Sequence, residues 1–345
     1  MGRVGYHRSP PRGGLGIEGL ILPIDNQQSK IINQKPCYAL HGIVPIINTP
    51  FDDRLKLDFP SLERLLEQSI ADGIVGCIVP AVASEVDKLS DSERRRLVER
   101  VVAIADGRIQ VVAGASSENL EEAFELAKHG VKAGADGILC RVPDRLEGDR
   151  EGIVSFFTRL SEAGMEMLMI QDLSWGGYGV SLEVILEMFE KIPAFRCIKI
   201  ETIPAGLKST RVLEATEGRL NVSSGWSLPE MIEALDRGIH GFNTTAINKP
   251  FVHIYRLHRE GRRAEAMALF DRILPYLAFV HQHIDISIHF LKRYCVRRGL
   301  FTTHNVREPI LPYDAYHERC GRELIGRVVA IEDGLGSIED TKGDQ

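Results

Sequence analysis

The chain lacks any apolar run near the roughly 18 residues that a membrane span needs. Its longest early stretch, Gly19-Leu20-Ile21-Leu22-Pro23-Ile24, is too short for the core of a signal peptide. No membrane partner is expected. Cysteine pairs are lacking too. The six cysteines, at 37, 77, 140, 197, 295 and 320, are scattered without a Cys-x-x-Cys motif, which speaks against a disulfide scaffold. Cys77, Cys140 and Cys197 sit in short apolar runs, where free cysteine behaves as a small hydrophobe, so a reducing cytoplasm is the expected setting. There is no excess of positive charge. Lys and Arg number 42 against 48 Asp and Glu, a formal net charge of −6, which disfavours a nucleic-acid partner. Hydrophobic residues at 44% and charged residues at 26% are ordinary for a soluble globular protein and exclude collagen-like or disordered classes.

What is present is a repeat. Short apolar runs fall at 43–47, 76–80, 109–113, 137–140, 167–170, 197–200, 220–222 and 241–243, spaced by about 28 residues, the length of one βα unit. Helical signals lie between them. Asp58 is a cap before Leu62, Leu65, Leu66 and Ile70, with Gly73 as a stop. Ser90 and Glu93 have capping-box spacing, and so do Ser227 and Glu230. Uniformly apolar strands are expected where helices cover a parallel sheet. Eight units in about 220 residues predict a (β/α)₈ TIM barrel. A doubly wound dinucleotide fold would carry a glycine fingerprint after the first strand, and Asn48-Thr49-Pro50-Phe51 is not one. Beyond residue 260 only helical patterns remain, so additional C-terminal helices are expected. The division is a flexible extension over 1–40, the catalytic barrel over 41–260, a helical extension over 261–330 and a flexible tail over 331–345. Some of the 32 glycines punctuate the units, and others lie in the extension.

A barrel places its site at the C-terminal ends of its strands. Most ends carry modest polar groups, but the sixth run reads Cys197-Ile198-Lys199-Ile200-Glu201-Thr202. A lysine within a strand covered on both faces is costly unless neutral or paired. Alternation puts Lys199 and Glu201 on one side, roughly 6.6 Å apart along the strand. A buried amine can form a Schiff base with a ketone, and a neighbouring carboxylate can move protons at the carbon beside the imine. On these features alone, a buried ion pair and an imine-forming site explain the segment equally well.

The segment resembles the Schiff-base strand of the dihydrodipicolinate synthase / N-acetylneuraminate lyase family of class I aldolases and lyases. The likeness runs through residues 41–300: Thr49-Pro50-Phe51 after the first strand, Ser84-Glu85 with Leu89-Ser90 at the end of a Gly-Thr-Thr-Gly-Glu-x-x-x-Leu-Ser signature, Gly134-Ala135-Asp136-Gly137 before the fourth strand, and Leu274-Pro275 and Arg298-Gly299 in the C-terminal helices. The resemblance implies a homo-oligomeric barrel (dimer or tetramer) that needs no metal or organic cofactor, with a covalent imine at Lys199. Val82-Ala83 replaces the family's Thr-Thr, Gln171 the fifth-strand tyrosine, and Val142-Pro143-Asp144-Arg145 the Pro-Tyr-Tyr. The usual phenolic proton relay is therefore missing.

That pattern is similar to a branch of 2-keto-3-deoxy-sugar acid dehydratases such as L-2-keto-3-deoxyarabonate dehydratase. The shared features are Ser-Glu in the signature, Gln-Asp after strand five and Lys-Ile-Glu-Thr on strand six. The branch implies that Lys199 forms an imine with the C2 ketone of a small-molecule 2-oxo acid and that Glu201 serves as acid and base. Backbone N–H groups near Ala83 and Ser84 are expected to hold the substrate carboxylate, with Ser223, Ser224 and Gly225 lining the far end. Gln171 and Asp172 are equally readable as substrate contacts or as rim hydrogen bonds. Glu85 is expected to tie its own loop, the histidines at 281, 283 and 289 to be surface residues, and Arg94-Arg95-Arg96 to form a solvated face. Trp226 is read as stacking on substrate or as plain packing. Two alternatives stay open: a pyruvate-dependent aldolase using the same imine, and a non-catalytic member that kept the barrel and lost the chemistry.

Overall fold

The computed structural model describes residues 36, 38–226 and 228–336. Eight short strands carry the fold: β1 (Gly42–Ile43), β2 (Gly76–Val79), β3 (Gln110–Gly114), β4 (Gly137–Arg141), β5 (Leu168–Leu173), β6 (Phe195–Glu201), β7 (Asn221–Ser224) and β8 (Gly241–Phe242). All pair in parallel, in the order β1-β8-β7-β6-β5-β4-β3-β2. A parallel bridge from Ile46 to Ile78, with Ile47 N–H donating to Ile78 O at 3.0 Å, brings the two ends of the sheet together. The result is the (β/α)₈ TIM barrel that the eight runs predict. Each run meets a strand within a few residues. The first extends beyond β1, because Val44 and Ile46 continue the pairing through single bonds to Phe242 O and Thr244 O, both 2.9 Å.

Helices separate the strands: α1 (Phe59–Ala71), α2 (Asp91–Ala105), α3 (Leu120–Ala133), α4 (Arg150–Ser161), α5 (Leu182–Lys191), α6 (Ala205–Ala215) and α7 (Met231–Asp236). The cap signals are used as their chemistry dictates. The Asp58 side chain accepts from Ser61 N–H, and Ser90 with Glu93 forms a reciprocal capping box on α2. Ser227, the other expected cap, lies outside the described residues. After β8 come α8 (Lys249–Arg259), α9 (Arg263–Val280), α10 (Ile284–Arg297) and α11 (Ala315–Asp333).

Strand alternation divides the core into two layers. Val44, Ile46, Ile78, Val112, Leu139, Met169 and Cys197 fill the barrel interior. A larger set, including Ile43, Cys77, Val111, Ile138, Ile170, Ile198 and Val222, packs beneath the helices. Leu40, expected within the N-terminal extension, is 1% exposed and belongs to the interior cluster, because the apolar floor of the barrel needs a plug. Residues 1–35 and 37 of that extension lie outside the described residues, as do 337–345 at the other end. The helix α11 runs to Asp333, past residue 330 where the sequence pattern weakens. Arg94 corrects the expected solvated face. It is buried and donates to Ser116 O at 2.8 Å, because its place in α2 points it at the loop after β3. Among the described residues, no helix is long and apolar enough to cross a membrane.

Candidate active site

The sixth strand delivers the unusual pair to the C-terminal mouth of the barrel. Register sets Lys199 opposite Gln171 on β5 and Ser223 on β7, so all three face inward. Lys199 Nζ lies 2.9 Å from Glu201 Oε2, with the two side chains 3% and 9% exposed. Gln171 Nε2 donates to the same carboxylate oxygen at 2.6 Å. The carboxylate is thus held between an ammonium and an amide, two residues above the lysine on the same wall.

Gly225 permits this arrangement. A β-carbon there would stand 2.0 Å from Glu201 Oε1 and 2.7 Å from Lys199 Cε, inside van der Waals contact. Below the lysine, Ser223 Oγ donates to Asn243 Oδ1 at 2.7 Å, and Asn243 Nδ2 donates to Val44 O at 3.0 Å. These buried bonds tie β7, β8 and β1 together under the site.

A turn after β2 supplies the opposite wall. Residues Val82–Ser84 form a single tight turn, and three hydrogen bonds hold it. Asn48 Nδ2 donates to Ala83 O at 3.1 Å, Thr49 Oγ1 to Ser84 O at 2.7 Å and Ser84 Oγ to Ile47 O at 2.6 Å. The Ser84 N–H donates to Ala81 O at 2.8 Å, so it is not available for a substrate carboxylate as the sequence suggested. The Val82 and Ala83 N–H groups have no acceptor among the described residues, and both residues line the cavity that holds Lys199.

Three other expected contacts fall outside that cavity's lining: Gln171, which reaches it through Glu201, and Asp172 and Ser224. Asp172 sits one residue past Gln171 and faces the helices. There it pairs with buried Lys208 of α6, and its Oδ1 accepts from Val180 N–H at 3.0 Å. Burial pushes its carboxyl above the ordinary value, and the Lys208 ammonium opposes that shift. Ser224 likewise alternates to the helix side, where it lines a separate crevice with Thr202 and Pro204. Both facings follow from the register of β5 and β7 against Lys199 on β6, which parity along one strand does not supply. Glu85 does tie its loop, but through the buried Lys292 of α10, a partner no local pattern reveals.

The cavity, about 70 Å³ in volume, opens between the barrel mouth and helices α9 and α10. Trp226 lines it, set edge to face with Trp175 at 5.0 Å between ring centroids. His281 corrects the expected surface histidines. It lines the cavity against Trp226, 4.6 Å between centroids, with Nε2 2.9 Å from Trp226 O. His289 is also buried, whereas His283 is exposed. Among the described residues, no group of three or more His, Cys, Asp or Glu is placed to hold a metal ion.

A TIM barrel whose mouth presents a buried lysine beside a carboxylate has the parts of a Schiff-base lyase. Comparison with known proteins gives the family: residues 39–325 match the dihydrodipicolinate synthetase family, and the chain belongs to it. It is 28% identical over 285 residues to the 4-hydroxy-tetrahydrodipicolinate synthase of Bartonella bacilliformis, covering 79% of this chain and 92% of that one. The synthase of Methanoculleus marisnigri is 29% identical over 245 residues, covering 68% and 82%. Among solved structures, the synthase of Methylacidiphilum fumariolicum superposes with a TM-score of 0.78 at 24% identity, over 84% of this chain and 96% of that one. The Acinetobacter baumannii synthase, solved with pyruvate, gives 0.76 at 22% identity, over 84% and 99%. At these identities the structural neighbours speak to the fold.

Proposed function

We propose that the protein is a lyase acting on a 4-hydroxy-2-oxo acid, the reactive head that a 2-keto-3-deoxy sugar acid presents, and that it removes the C4 hydroxyl as water. The observation that carries this reading is the 2.9 Å separation of Lys199 Nζ and Glu201 Oε2 in a buried mouth. Lys199 Nζ adds to the C2 ketone, and water leaves to give a protonated imine, which acidifies the C3 protons. Glu201, already beside the imine nitrogen, takes one of them. The resulting enamine expels the C4 hydroxyl, which leaves with the proton that Glu201 returns. Hydrolysis of the imine then frees the product and the lysine. The substrate carboxylate rests on the open Val82 and Ala83 N–H groups, and Gln171 orients Glu201 through its 2.6 Å bond. The electron sink is the imine itself, so this sequence of steps calls for no organic cofactor.

A second reading draws on the relatives, which are named as synthases. The same enamine could add to an aldehyde and form a C–C bond. Both readings share one test. The protein is incubated with pyruvate, reduced with borohydride and mapped by mass spectrometry. An adduct on Lys199 is expected, and its absence with pyruvate and a panel of 2-oxo acids would leave a barrel without imine chemistry. With a 4-hydroxy-2-oxo acid, loss of 18 Da (one water) without pyruvate release separates dehydration from cleavage.

A further inference from the structure

The walls beyond Lys199 describe the part of the substrate that the chemistry leaves untouched. Trp175, Trp226, Leu228, Phe251, Leu277 and Val280 make a continuous apolar surface from the barrel mouth to α9. Among the described residues on these walls, Lys199 and Glu201 are the formally charged side chains, and both belong to the reacting pair. No further cation stands ready for a second carboxylate.

The polar groups on the walls are largely engaged with one another. Asn243 uses both ends of its amide, on Ser223 and on Val44 O. Thr244 Oγ1 donates to Asn248 Oδ1 at 2.6 Å. Both His281 nitrogens lie against main-chain carbonyls, at 2.7 Å from Leu277 O and 2.9 Å from Trp226 O, so both are engaged within the protein, and burial holds its imidazole below the ordinary value. Across the mouth, Arg141 is neutralised between Asp144 at 2.7 Å and Glu118 at 3.1 Å. The hydroxyls of Thr245, Tyr276 and Ser287 remain, spread over three elements.

A polyhydroxylated tail would have to lose its water against these apolar walls with few partners to replace it, at a cost for each unmatched hydroxyl. An aromatic ring would cover the same walls at no such cost and would meet the Trp175–Trp226 pair in the edge-to-face geometry that rings prefer. We propose that the substrate of the Lys199 site carries an aromatic group on C4, so that the molecule is an aryl-substituted 4-hydroxy-2-oxo acid and not a sugar acid. This rests on the reading of Lys199 as the imine-forming residue, and it adds the identity of the group at the far end.

The chain has two tryptophans, and both stand at this mouth, so intrinsic fluorescence reports on the cavity whether or not an imine forms. The probes are 4-phenyl-2-oxobutanoate, which has no leaving hydroxyl, and 2-keto-3-deoxygluconate. The phenyl acid is expected to quench fluorescence with a Kd at least tenfold lower than the sugar acid, in the wild type and in Lys199→Ala alike. Trp226→Ala, checked for folding by circular dichroism and read through Trp175, should erase that preference. Equal or tighter binding of the sugar acid in both proteins would overturn the proposal while leaving a pyruvate adduct on Lys199 intact. A missing pyruvate adduct would instead sink the imine reading, and the comparison in Lys199→Ala would still decide the nature of the walls.

Discussion

Gly225 sets how closely the main chain approaches the reacting pair, so the smallest possible change there is the sharpest test of the geometry. In Gly225→Ala the new methyl group would sit 2.0 Å from Glu201 Oε1 and 2.7 Å from Lys199 Cε, and one of the two must swing away. A displacement of that size from a near-attack geometry costs on the order of 100-fold in rate. Expected, then, is a folded protein with a wild-type circular dichroism spectrum and a kcat about two orders of magnitude lower. An unchanged kcat would mean that Lys199 and Glu201 do not act from the positions seen. Glu201→Gln separates the roles of the pair. The imine still forms and traps with borohydride, while turnover falls by about 10²–10⁴, the usual worth of a positioned general base. The identity of this pair was legible in the sequence, because a charged lysine in an apolar run is conspicuous. The facing of Asp172 and Ser224 was not legible, because parity on β6 reaches β5 and β7 only through the strand register. Nor was the bond that uses up the Ser84 N–H, since a three-residue turn leaves no periodic trace.

At the scale of elements, the turn over Val82–Ser84 is held by the helices added after the barrel. The chain leaves the turn through Glu85 in the left-handed region, φ 59° and ψ 39°. That residue is fixed by the ion pair with Lys292 on α10, and its Oε2 accepts from Arg307 N–H at 3.1 Å. Lys292 lies over the Phe51 ring at 4.2 Å and donates to Asn305 O at 2.8 Å. Burial pulls its ammonium down to about 8, against the opposing pull of Glu85. Removing Lys292 leaves the buried Glu85 carboxylate with the more distant Lys88, at 3.5 Å, and the Arg307 N–H, at a cost of up to about 3–5 kcal/mol. Lys292→Met should therefore lower the unfolding midpoint by several degrees and raise KM for 2-oxo acids more than it lowers kcat, since the slackened turn carries the carboxylate donors. Adding Glu85→Gln to Lys292→Met should recover much of the stability. If KM stays at its wild-type value in a folded Lys292→Met protein, the clamp does not position the turn. The eight apolar runs and their caps made the barrel readable from local periodicity. This clamp was not readable, because it joins residues on opposite sides of the chain's long return: Arg307 lies 222 positions beyond the glutamate it contacts.

Over the whole molecule, the last helix closes the fold through a buried acid, and that acid gives stability a pH dependence of its own. Glu332 of α11 is 2% exposed and accepts from the Tyr294 hydroxyl at 2.6 and 2.8 Å. Lys249 Nζ donates to the Glu332 and Leu335 carbonyls at 3.1 and 2.7 Å, which ties the end of α11 to the start of α8. Burial pushes the Glu332 carboxyl from its ordinary 4.5 up to about 7, with the nearby Asp72 adding to the shift and Tyr294 opposing it. Asp72, just past α1, is itself raised by burial to about 6. For a carboxyl raised by folding, the native chain holds a proton that the unfolded chain has already lost. Stability from this group is therefore full below about pH 4.5 and declines as pH rises toward 7, by at most about 3 kcal/mol for a shift of this size at about 1.4 kcal/mol per unit. Glu332→Gln keeps the shape and removes the titration. Thermal midpoints of the two proteins, measured from pH 4.5 to 7.5, should nearly coincide at the acid end, separate in favour of the glutamine variant as pH rises, and run parallel above 7. A separation that grows toward acid pH would mean that Glu332 is held as a carboxylate and that Lys249 and Arg298 outweigh its burial. The wild-type curve also carries Asp72, whose shift has the same sign, so some decline between pH 4 and 6 should persist in Glu332→Gln and weaken further in Asp72→Asn.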